Sequence, residues 1–116
     1  MASSVLERYR KYARIREDTE YGKQFSSSTR SRAVNYMYNI VEKAEKQGPS
    51  SIAELALLLD EPIPAIWLSH QLLERASVTP EIEKKCLNII FKRAMEDCIG
   101  EIWWLRDWYE KNNKNL

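Results

Sequence analysis

Histidine occurs once, cysteine twice and glycine three times in this chain of 116 residues. Those scarcities close most routes to chemistry. His70 has no second imidazole with which to share a metal, and no nucleophile beside it in sequence, so a hydrogen-bonding or packing role is expected. Cys86 and Cys98 lie twelve residues apart on one expected helix. That is roughly 18 Å along its axis, too far for a disulfide. Both read as buried apolar fillers. No glycine-rich phosphate loop is present. The longest purely apolar run, Leu55 to Leu59, is far short of the ~20 residues that span a bilayer, so no membrane role is expected. The N-terminal stretch reaches charge at Glu7-Arg8 without an apolar segment, which argues against a signal peptide and for a cytoplasmic protein. Together these points predict no enzyme, no cofactor and no bound metal.

What remains is ordinary globular material, 44% apolar and 30% charged. Its length suits a single domain over residues 1–116. No stretch alternates with period two for long enough to form a strand. Apolar residues instead recur at helical spacing. The pattern predicts an all-α domain of about six short antiparallel helices, over about 4–21, 29–47, 52–59, 64–76, 80–97 and 101–111.

The boundaries have chemical reasons. Gly48-Pro49 stops the second helix. Ser51 and Glu54 have capping-box spacing, which predicts a third helix from Ile52. Pro62 and Pro64 forbid a helix until Pro64, then preset its first turn. Thr79-Pro80-Glu81 combines a cap, a first-turn proline and an acid at the positive helix end. Gly100 separates the last two helices. Ile82, Cys86, Leu87, Ile89, Ile90, Phe91, Ala94 and Met95 cover most of the fifth helix, which predicts that it is central.

Two tryptophans fall on polar faces. In the fourth helix Trp67 points away from Ile66, Leu68 and Leu72, beside Gln71 and Glu74 and with His70 at the edge. In the sixth, Ile102, Leu105, Trp108 and Tyr109 form the apolar stripe. Trp103 lies among Arg106, Asp107 and Glu110. An indole in water wastes apolar area, and such residues are enriched at interface hot spots. Trp67 and Trp103 are therefore candidate anchors for a protein partner. The candidate rim is Asp60, Glu61, His70, Gln71, Glu74, Asp107 and Glu110. Exposed tryptophans could equally mark a homo-oligomer contact.

Charge is unevenly placed. Residues 1–48 carry ten Lys and Arg against six Asp and Glu, a net of +4, and residues 49–116 carry eight against eleven, a net of −3. The first helix shows Arg8, Arg10, Lys11 and Arg14 on one face. They alternate with Glu7, Glu17 and Asp18, and no aromatic lies between them there. A solvated helix face is favoured over a nucleic-acid site.

Several segments carry a resemblance. They are Asn35-Tyr36-Met37-Tyr38-Asn39-Ile40, the turn Ala53-x-Leu55-x-x-Leu58-Leu59-Asp60-x-Pro62, then Ile66-x-Leu68, Leu72-Leu73, Thr79-Pro80-Glu81 and Leu87. Over roughly residues 30–95 the chain resembles small bacterial all-helical proteins of unknown function built from HEAT-like helix pairs. Members are similar to immunity proteins of polymorphic and contact-dependent toxin systems. The resemblance implies stacked helix pairs, no catalytic residues, and stoichiometric inhibition of a cognate toxin, often a nuclease. The other readings are an adaptor or scaffold domain for a host-cell protein and, less favoured, nucleic-acid binding through the first helix.

Overall fold

Glycine and proline set the starts of three helices. The computed structural model describes residues 3–21, 27–96 and 99–112, and among them it contains helices and turns but no strand. The order is α1 (Ser3–Tyr21), α2 (Ser27–Gln47), α3 (Pro49–Leu55), a 3₁₀ turn (Ala56–Asp60), α4 (Pro62–Arg75), α5 (Pro80–Ala94) and α6 (Ile99–Lys111). The fold class is all-α.

Four boundaries differ from the sequence expectation. Gly48 adopts φ 116° and ψ 179°, and α3 starts directly after it with Pro49 in its first turn. The Gly48 carbonyl accepts from the Ser51 and Ile52 amides. Ser51 thus lies inside the helix, its hydroxyl on Gln47 Oε1 at 3.1 Å, and the Ser51–Glu54 box does not cap the start. Helix α4 begins at Pro62, with Glu61 extended before it. Both prolines fit because the first four N–H groups of a helix have no intrahelical partner to lose. Helix α5 ends at Ala94, so Met95 leaves the apolar stripe and is 86% exposed. Gly100 does not break the chain but lies in the first turn of α6. Asp97 and Cys98 lie outside the described residues.

Thr79 caps α5 as its sequence suggests, its hydroxyl oxygen accepting from the Ile82 amide at 3.2 Å. Apolar residues at helical spacing line the inner faces of α1 and α2. Tyr9 and Ala13 of α1 are buried, as are Ala33, Met37, Ile40, Val41 and Ala44 of α2.

The central helix is α4, not α5. It packs on α1, α2, the 3₁₀ turn and α5, and buries Pro64, Ile66, Leu68, Ser69, Gln71 and Leu72. Helix α5 buries only Cys86, Ile90 and Ala94. The larger core joins α1 and α2 to α3, the 3₁₀ turn and α4 through Tyr9, Met37, Leu55, Leu58, Leu68 and Leu72. A smaller one joins α4, α5 and α6 through Ile66, Ile90, Ala94 and Leu105. The body measures 37 × 34 × 21 Å, a slab that leaves outer helix faces uncovered.

Gly48 offers a test. A methyl group there would meet nothing within 4 Å, yet its backbone lies in a region only glycine enters readily. Gly48→Ala should lower unfolding free energy by about 1–3 kcal/mol, measured by urea denaturation. An unchanged midpoint would show that the α2–α3 corner relaxes freely.

Candidate protein-binding surface

Helix α1 covers much of the α4 face that reads as wet in sequence. The Tyr9 hydroxyl donates to Gln71 Oε1 in the interior, and Gln71 is 5% exposed. Gln71 is therefore a buried tie between α1 and α4 and cannot rim an interface. Trp67 is only partly exposed. The Arg16 guanidinium sits 4.3 Å from the Trp67 ring centre, a cation–π contact. The Trp67 indole N–H is buried without a hydrogen-bond partner among the described residues. The sequence missed this cover because it comes from a helix some 50 positions away.

Glu61 belongs to the same α1–α4 joint, whereas Asp60 reaches α5. Arg10 grips Glu61 with Nε at 2.9 Å and a terminal nitrogen at 2.7 Å. The Arg10 hydrogen bonds hold the Glu61 carboxyl below its ordinary range. Asp60 pairs with Lys85 at 2.6 Å.

His70 and Glu74 fasten α6 to α4. His70 Nε2 lies 2.7 Å from Glu101 Oε2, with both side chains largely buried. The imidazole stands edge-on to Trp104, ring centres 4.3 Å apart. Glu74 accepts from the Tyr38 hydroxyl at 2.6 Å and from Trp104 Nε1 at 2.8 Å. No group of three or more His, Cys, Asp and Glu side chains among the described residues could hold a metal ion. Burial raises the Cys86 thiol to about 11, so it stays protonated at neutral pH.

The remaining candidates stay in solvent. Trp103 is 61% exposed, with the Arg106 guanidinium 5.2 Å from its ring centre. Asp107 and Glu110 are exposed, and Asp107 pairs with Lys111 at 3.1 Å. The sequence reading missed two companions. Ile99 is 67% and Ile102 45% exposed. The helical wheel puts Ile102 in the apolar stripe, but only Leu105 and Trp108 of α6 are buried. Because α6 begins at Ile99, residues 99, 102 and 103 fall at i, i+3 and i+4 and share one outer face. The signal was present in sequence but hidden by reading Gly100 as a break. Alongside lies a groove of about 450 Å³ between α4 and α6, bordered by Glu74, Trp104, Asp107 and Trp108.

The Tyr38–Glu74 bond has a pH consequence. Burial, then the bond to Glu74, raises the Tyr38 hydroxyl from 10.0 to about 12. A raised folded-state value means the unfolded chain loses its proton first. The stability from Tyr38 is complete below about pH 10 and is lost as pH rises toward about 12. The urea midpoint should fall from about pH 9 to about pH 11, and the Tyr38→Phe variant should fall less steeply over that interval. Equal slopes in the two proteins would reject this assignment.

No family model matches the chain, and no curated protein sequence or solved structure matches it either.

Proposed function

We propose that this chain is a protein-binding inhibitor that neutralises a cognate toxin domain by stoichiometric complex formation in the cytoplasm. The observation that carries the reading is the uncovered strip of Ile99, Ile102 and Trp103 on α6. An apolar strip that includes an indole and has polar residues at its margin has the composition of an interface hot spot.

Charge indicates the partner's chemistry. Asp107 and Glu110 flank the strip, and residues 49–116 carry a net of −3, eight Lys and Arg against eleven Asp and Glu. A nuclease-type toxin must attract a phosphate backbone and so carries basic surface. Carboxylates facing that surface speed encounter and help select the partner. The resemblance to immunity proteins supports the same reading. The polar ties from His70 and Glu74 hold α6 in place, so little ordering is needed when a partner docks.

The test is calorimetric titration against the product of the gene directly upstream, where a toxin gene would lie. Trp103→Ala should keep its helical circular dichroism and bind about 30-fold more weakly or worse, the effect of losing about 2 kcal/mol at a hot spot. Ile99→Asp should act in the same direction. If both variants titrate like the parent, α6 is not the docking face. If the parent self-associates in sedimentation and binds no neighbour product, the strip is a dimer contact and the inhibitor reading fails.

A further inference from the structure

We infer that the groove between α1 and α2 binds single-stranded nucleic acid. It is built from residues other than those of the α6 strip and does not depend on the proposed inhibitor role. On the cationic face of the first helix no aromatic lies among Arg8, Arg10, Lys11 and Arg14. The fold supplies the missing aromatic from the neighbouring helix. Tyr36 of α2 stacks on Tyr12 of α1, ring centres 4.8 Å apart and planes within 22°. Tyr36 remains 48% exposed, so its ring is open to a further planar group.

Cations stand on both walls. Arg8 from α1 and Lys43 from α2 line the groove with Tyr12, Tyr36, Asn39 and Ile40. Neither Arg8 nor Lys43 has a carboxylate partner among the described residues. Lys11 lies 5.8 Å from the Tyr12 ring centre. Among the described residues, no carboxylate lines this stretch. The groove continues past Arg8 and Lys43 into a smaller hollow, where Glu54 is the one carboxylate among the described residues at the margin.

These parts match one ligand chemistry. Cations on two walls attract phosphate. A half-exposed aromatic stacks any base, since every base has a π-face. The Asn39 amide offers a donor and an acceptor to a base edge. The main groove holds about 330 Å³, the lower end of the small-ligand range. It has room for a splayed base and its phosphate rather than a stacked duplex. A flexible single strand presents bases in that way, and a duplex does not.

The experiment is fluorescence anisotropy of the full chain with a labelled mixed-sequence single-stranded 12-mer RNA at about 50 mM salt. Binding should weaken with salt, with a log–log slope of about −1.4 for two phosphate contacts. Arg8→Glu combined with Lys43→Glu should abolish it. Tyr36→Ala should weaken it at least about fivefold, the lower end of base–aromatic stacking. Trp103→Ala should leave it unchanged, which keeps this outcome separate from that of the α6 strip. Circular dichroism checks that each variant folds. No binding at that salt, equal or tighter binding of the matching duplex, or equal competition by a polyglutamate peptide would each overturn the proposal.

Discussion

Helix α1 lies along one side of α4, and three contacts fix it there. The Tyr9 hydroxyl bonds Gln71 inside the core, Arg10 grips Glu61 at the start of α4, and Arg16 covers Trp67. The first is the most demanding. A buried amide without its partner would cost about 1–3 kcal/mol, so Tyr9 and Gln71 are each tolerable inside only because of the other. With α1 in place, α4 is covered by α1, α2, the 3₁₀ turn and α5.

That enclosure decides what is left for α6. Its apolar support comes from α5 and one edge of α4, through Ile66, Ile90, Ala94 and Leu105. Two polar ties, His70–Glu101 and Trp104–Glu74, add to it. A helix held along one side by a small cluster and two polar ties keeps its other side open. Trp104 and Trp108 stack at 6.5 Å on the held side, while Trp103 faces out. Three indoles within six positions of one helix thus do different work, set by which flank α4 and α5 can reach.

The sequence made the helix count, the stripes of α1 and α2 and the Thr79 cap legible, because each is local and periodic. It misled where one residue type permits two uses. Proline ends one helix and also begins another, so Pro49 and Pro62 lie inside helices that were expected to start later. Gly100 is a frequent breaker that can also sit in a first turn. The site was half legible. Trp103, Asp107 and Glu110 lie outward as the helical wheel places them. Trp67 and Gln71 are on the same wheel logic outward too, but a wheel describes one helix and cannot see α1 arriving over it.

Formal charge is a poor guide to surface until internal pairs are removed. Glu61 is engaged by Arg10, Asp60 by Lys85 and Glu42 by Arg75, so these carboxylates present less field to a partner than the sequence suggests. Asp107 and Lys111 form an exposed i,i+4 pair, which at about 0.3–0.5 kcal/mol a partner could break easily. Asp107 and Glu110 are therefore acids that α6 can offer to an incoming cation. The same subtraction on the basic half removes Arg10 and leaves Arg8 and Lys43 beside the tyrosine pair. A net charge of +1 thus averages two local fields of opposite sign. Each one stands next to exposed aromatic area, Trp103 on α6 and Tyr36 on α2.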